Sequence, residues 1–157
     1  MSNLIKLREM KLTDAKMLYP LTSNIECGKY MRHGAHQSLE QTQAMVEKYC
    51  RNENLAYIIE DETNLTIGFV ALAKQDELNH SLTLMTFPEY WNKGYTSIAM
   101  QLVLEKTKES SKINTIISYV VKENIGSCRI MEKCHFELVN TIDDPKHQIV
   151  NVYKLNV

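Results

Sequence analysis

Glycine and proline are scarce in this chain, 5 and 3 of 157 residues, which excludes collagen-like and linker-rich architectures. Cysteine is scarce as well. Cys27, Cys50, Cys128 and Cys134 are scattered and none falls in a C-x-x-C pair, so a disulfide framework is not expected, and reduced thiols in a cytoplasmic protein are. The longest apolar run, Ile67 to Ala73 around Gly68, falls far short of the roughly 20 residues that cross a bilayer. The opening MSNLIKLREMKLTD has no signal-peptide core, so the chain reads as soluble and unexported, without a membrane partner. Neither charge sign is in excess. Eighteen Lys and Arg against 19 Asp and Glu exclude the strong positive field of a duplex-binding domain, and no nucleic-acid partner is expected. What remains is ordinary globular composition, 44% hydrophobic and 24% charged, long enough for one core and one domain over residues 1–157.

The pattern of elements is readable along the chain. Leu4 to Arg8 alternate as a strand, and Thr13-Asp14 offer an N-cap for a short helix that Pro20 should limit. Ser38-Leu39-Glu40-Gln41 matches a capping box, followed by Leu39, Thr42, Met45, Val46, Tyr49 and Cys50 at helical spacing through Arg51. Leu55 to Glu60 and Leu65 to Ala73 flank the turn-like Asp61-Glu62-Thr63-Asn64 as a hairpin, which Ser81 to Phe87 extends. Behind Pro88 the period changes to 3.6, with Ile98, Ala99, Leu102 and Val103 on one helix face to about Lys108. A β-branched strand, Ile113 to Val121, a helix from Ile125 to Lys133, and strands Phe136 to Ile142 and Ile149 to Leu155 complete the chain. Early strands joined by turns and later ones separated by helices imply an α/β or α+β fold with a mixed sheet.

The join between Phe87 and Ile98 is the most informative segment for function. A helix starting near Gly94 aims its free N–H groups and positive dipole end outward, a ready site for a phosphate; Gly94 lets backbone approach a ligand and Lys93 adds charge. The plainer alternative is a turn glycine beside a solvated lysine. His33 and His36 form an H-x-x-H that could aim at zinc, but Gly34 between them and the lack of neighbouring carboxylates favour a loop or pocket role, and no metal is expected.

Pro88-Glu89-Tyr90-Trp91-Asn92-Lys93-Gly94-Tyr95-Thr96-Ser97 resembles the acyl-CoA-binding segment of the GCN5-related N-acetyltransferases, Q/R-x-x-G-x-G/A, in the form used by the branch containing the ribosomal-protein N-terminal acetyltransferases. Some thirty residues on, Asn124 to Phe136 is similar to the family's N-x-x-S-x-x-x-x-E-K-x-G-F, and Leu7-Arg8 with Asp14 to its L-R-x-x-x-x-x-D opening. The resemblance implies a mixed, mostly antiparallel central sheet flanked by helices, acetyl-CoA as co-substrate, and direct acetyl transfer to a primary amine on a protein N-terminus or small molecule. It implies that Leu84, Met85 and Thr86 present backbone to the pantetheine arm where two strands splay. Trp91, Asn92, Lys93, Gly94, Tyr95 and Thr96 would wrap the pyrophosphate, Asn124 would bond the pantetheine, and Ser127 would lie near the thioester sulfur.

Four positions depart from the pattern. Trp91 replaces the glutamine or arginine, Thr96 the last small residue, and His135 the glycine before Phe136; Met131 stands where many members carry the tyrosine that protonates the leaving thiolate. Ser127 is then the favoured acid, with Tyr119 and Tyr153 as alternatives. Glu77, His80 and His36 are candidate bases. Adjacent helical residues point about 100° apart, so Cys134 and His135 do not make a nucleophile and base, and Cys134 reads as a small buried hydrophobe. Tyr30, His33 and His36, in the loop from Ser23 to Ser38, are the candidate acceptor-binding residues. The alternatives are an acyl-CoA-binding sensor or interaction domain with little catalysis, and a mononucleotide-binding protein, which lacks its G-x-x-x-x-G-K motif here. The strand Ile149 to Leu155 would support a homodimer if its edge were exposed.

Overall fold

The computed structural model describes residues 5–145 and 148–157; Leu4, where the first strand is expected to begin, lies outside them. The chain runs β1 (Ile5–Glu9), α1 (Ala15–Thr22), α2 (Ile25–Gly28), α3 (Leu39–Tyr49), β2 (Leu55–Asp61), β3 (Thr66–Lys74), β4 (Asn79–Thr86), α4 (Tyr95–Glu109), β5 (Thr115–Val121), α5 (Ile125–Lys133), β6 (Glu137–Asp143) and β7 (Ile149–Asn156). All seven strands join one sheet in the order β1-β2-β3-β4-β5-β7-β6, antiparallel at every junction except the parallel pair β4 and β5.

Alternation along the strands divides the core into two layers. Tyr57 and Ile59 on β2, Val70 and Leu72 on β3, and Ile116 and Val120 on β5 pack with Ala99, Met100 and Val103 of α4 and Met131 of α5. The intervening Ile58, Phe69 and Ala71 face the other way, onto Leu18 and Leu21 of α1 and Val46 and Tyr49 of α3. The sheet is therefore covered on both faces.

Local signals explain most of the element ends. Ser38 Oγ accepts the Gln41 N–H at 3.3 Å, while the Gln41 side chain accepts the Gln37 N–H rather than that of Ser38. Asp61 Oδ1 takes the N–H groups of Thr63 and Leu65 at 2.8 and 3.0 Å, closing the β2–β3 turn with Asn64 left-handed at φ 69°. Pro20 does not limit α1 as expected. It lies inside the helix, which continues to Thr22 and closes with the Ser23 N–H on the Tyr19 carbonyl at 2.9 Å. Pro20 sits past the first turn, so it forgoes the ladder bond to the Lys16 carbonyl and its ring crowds that group, and the helix continues nonetheless. The third helix ends at Tyr49, two residues before Arg51.

Asp14 is more than the expected helix cap. Its carboxylate accepts the Lys11 N–H at 2.7 Å and holds Arg8 through two bonds of 2.9 and 3.0 Å, while Arg8 Nε reaches Glu60 at 3.0 Å. The L-R-x-x-x-x-x-D pattern is thus a structural fork tying β1, the turn before α1 and β2. Burial pushes the Asp14 carboxyl up, but the bonds from Arg8 and Lys11 outweigh it and leave it below its ordinary 3.8. A carboxylate depressed in the fold stabilises in full above that ordinary value and loses the contribution as pH falls through its folded value. Asp14→Asn should therefore be less stable than wild type at neutral pH, with the gap closing below about pH 4 in denaturant titrations; a gap independent of pH would contradict the assignment.

His135 takes the left-handed conformation itself, φ 68°, and its turn keeps helix-ending geometry: the Phe136 N–H bonds the Met131 carbonyl at 2.9 Å and the His135 N–H that of Glu132 at 3.0 Å. Since the imidazole is exposed, glycine relieves strain without loss of packing. His135→Gly should raise stability by about 1 kcal/mol and the melting temperature by about 2–4 °C.

Candidate functional site

The parallel pair β4–β5 is registered only at Asn79↔Thr115, His80↔Ile116 and Ser81↔Ile117, after which the strands part. Four residues of β5 and five of β4 run on without facing one another, and the sheet opens as a V. The Phe87 N–H bonds Ile67 in β3 at 2.9 Å, so the Thr86 carbonyl across the same peptide points away from β3, into the opening. Alternation brings the backbone groups of Leu84 to the same side, while those of Met85 face β3.

Both following helices begin at the open end of this V, because β4 and β5 run in the same direction. The turn Trp91–Gly94 leads into α4, where Gly94 is left-handed at φ 83° and Asn92 at φ 60°. No side chain caps the first turn of α4. Its leading N–H groups therefore face outward with the positive end of a 15-residue dipole. Lys93 and Gly94 are exposed. Tyr90 and Tyr95 brace the turn edge to face, with centroids 5.6 Å apart.

The second helix start carries Asn124 and Ser127. Asn124 Oδ1 accepts the Ser127 N–H at 3.4 Å, the cap its position suggests, which leaves its amide nitrogen as a donor. Ser127 is half-buried. Met131 is 5% exposed in the core under the sheet, so its position offers no acid to the cleft.

The acceptor-side candidates separate. His36 Nδ1 bonds Thr42 Oγ1 at 2.9 Å, which meets Thr22 Oγ1 at 2.7 Å, and burial followed by the charge of His33 lowers the His36 pKa. His36 thus fastens the loop to α1 and α3. His33 is exposed and Tyr30 lies half-buried beside the Lys29 ammonium. Arg32 lies over the Tyr119 ring at 5.9 Å, and Tyr119 also bonds Gln75, so the loop reaches across to β5.

Several sequence candidates sit elsewhere. His80 is 3% exposed at the closed end of the V; its Nε2 bonds the Glu53 carbonyl at 2.9 Å and its Nδ1 is buried without a partner. It is not accessible as a base. Glu77 stands in solvent at the β3–β4 turn, also at the closed end, 3.7 Å from Lys74. Tyr153 is 1% exposed and its hydroxyl meets Asn151 at 3.3 Å inside the core. Strand β7 is flanked by β5 and β6, so the edge expected for a homodimer is already paired. A cavity of about 410 Å³ between β1, β2 and the C-terminal half of α4, lined by Leu7, Tyr57, Lys106 and Glu109 among others, lies away from the open end and takes no part in the V.

Two features were not foreseen from sequence. The Trp91 indole N–H donates to the Thr86 carbonyl at 3.0 Å, and Cys27 of α2 brings its thiol to 3.8 Å from the same oxygen. Burial, then the charges of Glu26 and Glu89, pushes that thiol up to about 11, so it stays protonated. Neither contact has a local sequence signal, since both depend on how the turn and α2 meet the end of β4. Among the described residues no three His, Cys, Asp or Glu side chains are grouped to hold a metal, and no helix is long and apolar enough to cross a membrane.

The chain is similar to the uncharacterized N-acetyltransferase YnaD of Bacillus subtilis, 32% identical over 130 residues that cover 81% of this chain and 75% of that protein. Its fold is similar to that of a spermidine N-acetyltransferase from Vibrio cholerae crystallised with CoA and spermine, TM-score 0.87 at 18% identity, covering 99% of this chain and 96% of the other. It is also similar to RimL, a ribosomal L7/L12 alpha-N-protein acetyltransferase in complex with coenzyme A, TM-score 0.85 at 16% identity, covering 99% and 96%. The family model described as an acetyltransferase (GNAT) domain matches residues 5–137, most of the chain, and the protein belongs to that family.

Proposed function

We propose that this protein transfers the acetyl group of acetyl-CoA directly to a primary amine. The observation that carries the reading is the V itself: a parallel strand pair that parts after three registered residues, with two helix N-termini at its open end. The pantetheine amides would complete the ladder of β4 at Leu84 and Thr86, Met85 contributing through its position between them. Asn92 through Thr96, with the first N–H groups of α4 and the Lys93 ammonium, would hold the pyrophosphate. Asn124 would offer its amide nitrogen to the pantetheine and Ser127 its hydroxyl to the sulfur.

The chemistry asks little of the side chains. A backbone N–H of the opened β4, at Leu84 or Thr86, polarises the thioester carbonyl. The neutral amine attacks, an N–C bond forms, the C–S bond breaks, and the amine's surplus proton leaves to solvent or base while the thiolate takes one up. A thiol pKa near 8.5 makes that thiolate a good leaving group, so Ser127 relaying a proton is a modest aid and positioning supplies much of the rate.

The acceptor would enter from the side of α2 and the 29–38 loop, where Tyr30 and His33 are candidate contacts. The spermidine enzyme and RimL, by name, act on a polyamine and a protein N-terminus, so both classes belong in the assay. Free thiol released from acetyl-CoA is measured against polyamines, peptide N-termini and aminoglycosides; release with one class supports the transferase. The buried Met131 favours a second reading, a non-catalytic acyl-CoA sensor. That reading expects binding with no release for any amine.

A further inference from the structure

We propose that Trp91 is a positioning residue that clasps the end of β4 to the cofactor turn, so that phosphate binding and thioester alignment are coupled; this rests on the acetyl-CoA reading above. The residue makes two bonds in different directions. Its backbone N–H closes the turn Pro88–Tyr90 on the Pro88 carbonyl at 3.1 Å, while its indole N–H reaches back to the Thr86 carbonyl at 3.0 Å. The oxygen it holds is one of those that the parting of β4 and β5 leaves without a ladder partner, the last on β4, on a residue that is 6% exposed. An unpaired carbonyl there would be costly, and free to rotate out of line. With the indole in place, the 86–87 peptide is fixed from both sides, the Phe87 N–H by Ile67 and the Thr86 oxygen by Trp91.

The geometry gives the clasp its consequence. Trp91 begins the turn whose next residues, Asn92 to Gly94, open α4, so any shift of that turn is felt at Thr86 and the reverse. Cys27 of α2 approaches the same oxygen at 3.8 Å. Cofactor turn, thioester strand and acceptor-side helix thus meet at one carbonyl. Trp91 as a whole residue is 38% exposed.

Trp91 is also the only tryptophan in the chain, which makes its emission a reporter of the site. Acetyl-CoA titrated into wild-type protein should shift or quench that emission with the same midpoint as binding measured by calorimetry. Trp91→Phe keeps most of the ring and removes the donor. It should raise the KM for acetyl-CoA by a measurable factor of at most about tenfold, the whole worth of one neutral hydrogen bond, with kcat changed less. Its melting temperature, measured alongside, separates this from a loss of folding. An isosteric benzothienylalanine at position 91, which keeps the shape and lacks the N–H, should reproduce the Phe effect. If wild type binds acetyl-CoA but emission is unmoved at saturation, or both replacements keep the wild-type KM, the clasp is wrong while the transferase reading stands. If wild type does not bind acetyl-CoA, the function itself fails.

Discussion

Gly94→Val is expected to raise the dissociation constant for acetyl-CoA at least tenfold, about 1.4 kcal/mol or more, while costing the fold only about 1–2 kcal/mol. The reasoning separates strain from obstruction. Gly94 sits at φ 83°, where a β-branched residue is strained, and this is the folding cost. A Cβ built at Gly94 meets no protein atom within 4 Å, so nothing in the chain itself crowds the new side chain. The new side chain would stand in open space at the residue that leads into α4, where the proposed pyrophosphate site lies. Gly34 supplies the control. It is also left-handed, at φ 68°, with nothing within 4 Å of a Cβ, and it lies in the acceptor-side loop. Gly34→Val should carry a similar strain and leave acetyl-CoA affinity unchanged in a calorimetric titration. Equal losses in both variants would mean that Gly94 serves the turn and not the ligand.

Gly68→Ala should be among the most damaging single changes in the sheet. A Cβ on Gly68 would stand 1.9 Å from the Met85 carbonyl oxygen and 2.8 Å from the Thr86 Cα, and both are backbone atoms that cannot swing aside. Gly68 adjoins the register shift between β2 and β3 at Ile59 and Glu60, and it lets β3 press against the last peptides of β4. Adding one methyl must push that end of β4 outward. The expected cost is about 3 kcal/mol, the upper range for overpacking, or about 6–12 °C in melting temperature. Because the displaced peptides include the N–H groups assigned to the thioester, activity per folded molecule should fall too. A variant that melts normally and turns over normally would remove Gly68 and the end of β4 from the account.

How far the sequence foretold this depends on the range of each interaction. The Ser38 cap, the Asp61 turn and the α4 face are local, set by residues within one turn or hairpin, and they formed where the spacing indicated. The V was foreseen through family resemblance to the turn at Gly94 and the helix at Asn124. Periodicity alone does not show where a parallel pair stops. Pro20 misled because the lost bond and ring crowding of an interior proline are outweighed by the packing of Leu18 and Leu21 into the core. His80 misled because an alternating strand contains polar positions on both faces, and only the fold shows that this one is shut in against Glu53. The Arg8–Asp14–Glu60 fork and the Trp91–Thr86 bond both join distant segments. For those, residue type signals a polar or aromatic role without naming the partner.

The measurement that tests the central claim most directly is thermal unfolding of the wild-type protein with acetyl-CoA, with CoA and with ATP. Acetyl-CoA at a hundredfold excess over its dissociation constant should stabilise the fold by about 2.7 kcal/mol, a rise of about 5–11 °C. CoA should act similarly and ATP weakly. Stabilisation by ATP alone, or none by acetyl-CoA at any concentration, would contradict the assignment of the V between β4 and β5 as an acyl-CoA site.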